Sequence, residues 1–163
     1  MRRGLRGAAI ALAAAAAAMP AAGEARGETV SAAQPAGLVI ALMNAGYDAE
    51  LARDARGAPL VQVTTAGYPF TIAFYGCDET TWRECDSLQL ITGLDRAQPW
   101  TAESALALMR AYRFVAVQLD EEGDPFLTWD IYTGSGIPAA VFLETVSRFE
   151  GAVNLAAEAV FGE

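Results

Sequence analysis

Two cysteines are the residues whose spacing points most clearly to chemistry. Cys77 and Cys85 are the only cysteines of the chain, and they bracket the turn between two predicted strands. In an exported protein, an even pair at hairpin spacing is typical of a disulfide, which here would stabilise the fold by about 2.5 kcal/mol. The alternative is a redox-active pair, but the Cys-x-x-Cys spacing that lowers a thiol pKa is missing. The pattern therefore predicts a structural disulfide.

Carboxylates are the other groups that could perform chemistry, because the sequence contains no histidine and no lysine. Without these residues, Ser-His-Asp and Cys-His catalysis, Schiff-base chemistry and a P-loop are excluded. Glycoside hydrolysis needs two carboxyl groups about 5–10 Å apart, for which Asp130 and Glu103 are the candidates. Neither lies in a recognisable motif, and a small domain has little room for a deep cleft. We therefore expect a protein that is not an enzyme, with a carboxylate-based hydrolase as a remote alternative.

An acidic segment at 120–124 could offer oxygen ligands to Ca²⁺. Its carboxylates are Asp120, Glu121, Glu122 and Asp124. The twelve-residue ligand spacing of an EF-hand is absent, and two cysteines without histidine cannot build a structural zinc site. We therefore predict no metal and no cofactor, and we interpret the segment as a solvated hairpin turn.

The N-terminus indicates an exported protein. Three arginines in residues 1–6 are followed by an alanine-rich apolar run from 7 to 19 and then by small residues. The apolar run is shorter than the ~20 residues that span a bilayer, and the three parts together are typical of a Sec-type signal peptide. We predict a bacterial signal peptide at 1–25, a linker at 26–34 and one domain at 35–163, located in the periplasm or secreted. An uncleaved anchor or a disordered leader is the alternative.

The charge of the chain argues against nucleic acid as a partner. From Arg26 onward, 8 arginines stand against 19 acidic residues, a net charge of −11. Such a field repels phosphate backbones and would steer a cationic partner, although most acidic surfaces serve solubility alone. No apolar run after the leader is long enough to span a membrane, so we expect no stable membrane span in the mature protein.

Hydrophobic periodicity predicts three helices and five strands. The first helix covers 35–45 with Pro35 at its start, the second is capped by Thr101, and the third begins at 136–138. The predicted strands cover 60–65, 70–75, 87–92, 114–119 and 126–132. The order α-β-β-β-α-β-β-α indicates an α+β fold, an antiparallel five-stranded sheet with helices on one face.

Period-two alternation leaves a row of amides and hydroxyls on the other face of the predicted sheet. These residues are Gln62, Thr64, Thr71, Tyr75, Ser87, Gln89, Gln118, Thr128 and Asp130. Such a face could bind a partner, and an open sheet edge could accept an added strand. A plain solvated face is an equally open interpretation.

Four short segments, taken in order, are similar to those of a known family. They are Phe74-Tyr75-Gly76-Cys77, Cys85-Asp86-Ser87-Leu88-Gln89-Leu90, Tyr112-Arg113-Phe114 and Leu119-Asp120-Glu121-Glu122-Gly123-Asp124-Pro125. Together they resemble the YbjN family, specifically its members with a signal peptide, from about Pro35 to Phe149. The resemblance implies a sensory transduction regulator with a fold like that of type III secretion chaperones, no catalytic residues, and a structural role for the cysteines and the acidic turn. The chain departs from the family at Met109 and Ala111, where a more polar stretch is expected.

We therefore expect a non-catalytic periplasmic adaptor, chaperone-like or regulatory, that recognises a protein partner. A second copy of the chain, giving a homodimer, is one candidate partner. The alternative function is a sensor of a small molecule or an envelope ligand, which requires a pocket between helices and sheet.

Overall fold

A computed structural model describes residues 28–65, 67–95 and 99–161, and within these ranges it has three helices and eight strands. The helices are α1 (Pro35–Asn44), α2 (Ala102–Ala111) and α3 (Ala139–Phe161). The strands are β1 (Thr29–Val30), β2 (Asp48–Arg53), β3 (Pro59–Thr64), β4 (Phe70–Tyr75), β5 (Ser87–Gly93), β6 (Ala116–Leu119), β7 (Pro125–Tyr132) and β8 (Ile137–Pro138). The α+β class is confirmed. The predicted signal peptide, 1–25, lies outside the described residues.

The main sheet has six strands in the order β2-β3-β4-β5-β7-β6, and each strand runs antiparallel to its neighbours. The prediction of five strands was therefore wrong by one, because β2 was missed. The sequence of β2, Asp-Ala-Glu-Leu-Ala-Arg, consists of residues that favour helices or are depleted in strands. As an edge strand it buries only Ala49. Its structure therefore depends on pairing with β3, and its sequence does not alternate between apolar and polar residues along its whole length.

A second, two-stranded sheet pairs β1 with β8 and corrects two further predictions. The segment predicted as a linker, 26–34, contains β1, and Val30, Ser31 and Ala32 are buried. The third helix begins at Ala139, later than predicted, because Ile137 and Pro138 pair with β1. The Ala139 amide then donates to the Glu28 carbonyl at 2.8 Å. Strands of two residues are too short to show a period, which is why the sequence did not indicate them.

The ends of the first two helices follow the local signals in the sequence. Pro35 stands in the first turn of α1, where its missing N–H leaves no donor unsatisfied. Beyond the end of α1, Gly46 has a φ of 92°, and the Tyr47 amide donates to the Leu42 carbonyl at 3.0 Å. At the start of α2, the Thr101 hydroxyl accepts a hydrogen bond from the Ser104 amide at 3.2 Å. The predicted cap is confirmed.

The hydrophobic core lies between the helices and one face of the main sheet. Buried side chains of α1, α2 and α3 belong to the same cluster as alternate residues of the strands. The packing is close at its centre, where the rings of Phe149 on α3 and Phe70 on β4 meet edge to face with centroids 5.5 Å apart. The helices therefore cover one face of the sheet. Within the described ranges, no helix is long and apolar enough to cross a membrane.

Candidate functional site

The face of the main sheet opposite the helices, named here the open face, is the candidate site. Its membership follows from the strand register, because residues paired across antiparallel strands point to the same side. It comprises Asp48, Glu50, Ala52, Leu60, Gln62, Thr64, Thr71, Ala73, Tyr75, Ser87, Gln89, Ile91, Gly93, Ala116, Gln118, Phe126, Thr128, Asp130 and Tyr132. With strands about 4.8 Å apart, six of them give a surface about 24 Å wide.

A hydrogen-bonded chain of three side chains crosses the centre of the open face. The Tyr75 hydroxyl donates to Oε1 of Gln89 at 3.3 Å, and Nε2 of Gln89 donates to Oδ1 of Asp130 at 2.9 Å. The three residues stand on β4, β5 and β7, so the sheet register itself aligns them. The amide of Gln89 is held between two partners, which preorganises the polar groups that an incoming molecule would meet.

Aromatic rings border this polar chain and are accessible to solvent. Tyr75 is 50% exposed and Tyr132 is 74% exposed, and both are in register with Ser87. Phe126 lies over Gly93, where a Cβ atom would approach its ring to 2.8 Å. Aromatic side chains supply contact area at low entropic cost and are enriched in protein interfaces. The open face therefore combines apolar rings with oriented polar groups.

The charged side chains of the open face are all negative. Its described residues include the carboxylates of Asp48, Glu50 and Asp130 and no arginine. The predicted row of amides and hydroxyls contained one carboxylate, Asp130, and the unpredicted strand β2 adds the other two. A surface of this kind favours a positively charged partner and repels an acidic one.

The residues predicted to point outward all lie on the open face, but one of them, Thr128, is buried. Gln62, Thr64, Tyr75, Gln118 and Asp130 are exposed, while Thr71, Ser87 and Gln89 are half-buried. Thr128 is only 3% exposed, because it lies in register between Ile91 of β5 and Ala116 of β6 in the interior of the sheet. Its side chain is therefore too buried to contact a partner, contrary to the prediction.

The prediction left ten residues of the open face unnamed, and the two aromatic ones among them carried a usable signal. Phe126 and Tyr132 share the parity of Thr128 and Asp130 along β7, so the same alternation that found those two would have found the rings. Asp48 and Glu50 carried no such signal because β2 does not alternate between buried and exposed positions.

The loop between β4 and β5 is closed by the two cysteines and ordered by an aspartate. The sulfurs of Cys77 and Cys85 lie 2.10 Å apart, at disulfide distance. Within the loop, Oδ1 of Asp78 accepts hydrogen bonds from the Thr81 hydroxyl at 2.8 Å, the Thr81 amide at 2.7 Å and the Thr80 amide at 3.1 Å. These bonds stabilise the carboxylate, the hydroxyl contributing most, and lower the pKa of Asp78 below its ordinary value.

The acidic segment at 120–124 forms the turn between β6 and β7. Oδ1 of Asp120 accepts the Asp124 amide at 2.7 Å, and Gly123 has a φ of 80° that the turn requires. The Gly123 carbonyl also accepts the Trp100 amide at 3.0 Å. The Asp120 carboxylate thus stabilises the turn by accepting a hydrogen bond from its backbone. Among the described residues, no group of three or more histidine, cysteine or acidic side chains could hold a metal ion.

The two carboxylates considered for hydrolysis are not brought together. Asp130 lies on the open face and bonds Gln89. Glu103 is in the first turn of α2, whose buried residue Leu108 belongs to the core on the opposite face of the sheet. No arrangement of acid and base across a cleft follows from these positions.

Comparison with known proteins places these features in a family. The YbjN family model, described as "Putative bacterial sensory transduction regulator", matches residues 35–161. No curated protein and no solved structure matches the chain. The match spans the sequence from the start of α1 to the end of α3 and includes every strand of the main sheet. This chain therefore belongs to the YbjN family.

Proposed function

We propose that this protein is a non-catalytic regulator of the bacterial periplasm that binds a basic protein partner on the open face of its main sheet. The observation that carries the proposal is the make-up of that face: exposed rings, an oriented amide and carboxylate, and no arginine among its described residues. The regulatory part of the proposal follows the description of the family.

The nature of the partner is argued from charge. Asp48 and Glu50 on β2 and Asp130 on β7 lie toward opposite sides of the face, so a partner that spans it meets negative charge at both sides. Arginine on the partner would pair with these carboxylates and stack on Tyr75 or Tyr132. Long-range attraction would also raise the association rate at low ionic strength.

The open face suits docking better than the outer edges of the sheet do. The β2 edge carries Asp48, Glu50 and Arg53, and charged side chains on an edge disfavour the addition of another strand. The β6 edge is four residues long, which limits the number of backbone hydrogen bonds that a donated strand could make. In such a chaperone-like mode, the partner would lie across the sheet.

The periplasmic part of the proposal rests on the cysteines and the N-terminal sequence. Disulfides persist in oxidising compartments and are rare in the cytosol, and Cys77 and Cys85 stand at disulfide distance. The arginine-rich start and alanine-rich run of residues 1–19 have the composition of an export signal.

Charge reversal on the open face tests this proposal. Glu50→Arg places a cation among the carboxylates of the face, and we expect it to reduce the amount of partner that co-purifies from periplasmic extract at least fivefold. The matched control is Glu158→Arg, at an exposed position of α3. Far-UV circular dichroism verifies that both variants fold. Equal recovery of partner with both variants would contradict the proposal.

A further inference from the structure

A cavity of about 700 Å³ lies at the β2 edge of the sheet, where the start of α1, the edge strand β2 and the disulfide loop meet. Its apolar wall is formed by Ala33, Pro35, Leu51, Pro59 and Trp82. Leu51 is 46% exposed and points into this space from the helix-covered side of β2. Cavities of about 300–1,000 Å³ with apolar walls and few polar groups are typical of small-molecule sites.

The loop that forms one wall is held in a strained conformation. Trp82 has a φ of 54° and Glu84 a φ of 56°, and they are the only residues other than glycine with positive φ in the described ranges. Two backbone hydrogen bonds of 2.8 Å close the loop between them, from the Asp78 amide to the Arg83 carbonyl and from the Trp82 amide to the Asp78 carbonyl. Strain that the surroundings impose in this way is concentrated at ligand clamps and functional sites.

The indole of Trp82 is fixed against the turn between β2 and β3. A Cβ atom at Gly57, whose φ is 90°, would lie 3.7 Å from the Trp82 Nε1 atom, so the ring runs close along this turn. The Gly57 carbonyl in turn accepts a hydrogen bond of 2.6 Å from Nη1 of Arg53. The apolar wall and one guanidinium at the rim are therefore positioned by the same glycine.

The charge of the cavity is opposite to that of the open face. Its lining residues include Arg53, Arg83 and Glu84, whereas the whole chain has a formal net charge of −9. Neither guanidinium has an ion-pair partner among the described residues. Pro35, in the first turn of α1, also lines the cavity, so the positive end of the helix dipole lies near it.

From this arrangement we propose that the cavity binds a small amphiphilic carboxylate, with its apolar chain or ring against Leu51 and Trp82 and its carboxylate at Arg83 and Arg53. Guanidinium groups bind carboxylates through paired, charge-assisted hydrogen bonds. Because Cys85 lines the same cavity, the disulfide loop shapes the binding site. The site would make the regulator responsive to a ligand, independently of docking on the open face.

Binding of three probes of equal length tests the proposal: octanoate, octanol and octylammonium, measured by isothermal titration calorimetry on the full chain. We expect octanoate to bind about tenfold more tightly than octanol, and octylammonium more weakly than either. Arg83→Gln should lower octanoate affinity about tenfold, whereas Arg110→Gln, at an exposed position of α2, should leave it unchanged.

A second variant keeps the test decisive if Arg83 also supports the loop. Leu51→Glu changes an exposed side chain on the edge strand and introduces a negative charge into the cavity. We expect it to reverse the preference, so that octylammonium binds more tightly than octanoate. Octanoate binding that equals octanol binding, or that is the same in Arg83→Gln and Arg110→Gln, would overturn the proposal. Neither result bears on capture of a protein by the open face.

Discussion

Tyr47 follows Gly46 just after the end of α1 and connects this turn to the long helix α3. Its hydroxyl donates to Oε2 of Glu150 at 3.3 Å. Burial, the negative charge of Glu150 and this hydrogen bond, in that order, raise the pKa of Tyr47 above its ordinary value of 10.0. The fold thus favours the neutral phenol. The resulting contribution to stability is fully present below the unfolded pKa, and it is lost as the pH rises through the higher pKa of the folded protein.

We therefore predict that Tyr47 in the folded protein ionises at a higher pH than an ordinary tyrosine does. Spectrophotometric titration of tyrosinate absorbance measures this directly. Tyr47→Phe should remove the late component, and Glu150→Gln should move it toward lower pH. Tyr132→Phe is the matched control because that side chain is 74% exposed. Loss of the late component in Tyr132→Phe instead would show that the pKa shift has another origin.

Single residues of the open face could be predicted as far as alternation holds. Gln62 and Asp130 are exposed where the period of two placed them. Thr128 has the right parity but lies in the middle of the sheet, and burial by neighbouring strands depends on register, which the sequence does not reveal. Alternation therefore predicts the face on which a residue lies better than its exposure.

At the scale of elements, α2 depends on the capping residue that precedes it more than on its interior. The helix has ten residues and buries only Ala105 and Leu108, so tertiary packing supports it at few points. The Thr101 hydroxyl satisfies the Ser104 amide, a donor that has no partner within the helix.

We predict that Thr101→Ala lowers the free energy of unfolding by about 1 kcal/mol, the usual loss for an N-cap. Urea denaturation followed by circular dichroism measures the change. Thr145→Ala is the matched control, because the Thr145 hydroxyl donates a hydrogen bond of 2.9 Å to the Val141 carbonyl within α3 and caps no helix end. That substitution should change stability by less than about 0.5 kcal/mol. Equal losses in the two variants would contradict the capping role.

The elements that could be predicted are those whose sequence periodicity matches the side that packs against the core. The strands β3, β4 and β5 alternate between buried and more accessible residues along their length, and α3 carries a stripe from Phe142 to Ala157 that faces the core. The strand β2 could not be found because its residues favour other structures and its edge position buries little. Its pairing with β3 is a long-range choice that local sequence does not encode.

At the scale of the whole molecule, the fold separates two surfaces of opposite charge. The open face bears carboxylates and rings, whereas two arginines and one glutamate are among the lining residues of the cavity beside the disulfide loop. The sequence predicted helices on one side of a sheet because amphipathic helices need an apolar surface to cover. It did not predict the charge separation, which arises when β2 brings Asp48 and Glu50 to one side and Arg53 to the other.

Photo-crosslinking in the native envelope tests most directly whether a partner docks on the open face. A photoreactive phenylalanine analogue replaces Tyr132 on the open face in one variant and Val141 on α3 in the other, both exposed positions. We predict that the first variant yields a discrete crosslinked protein, identified by mass spectrometry, whose contact peptide is rich in arginine or lysine. The second variant should not capture this protein. The same products from both positions, or capture from position 141 alone, would contradict docking on the open face.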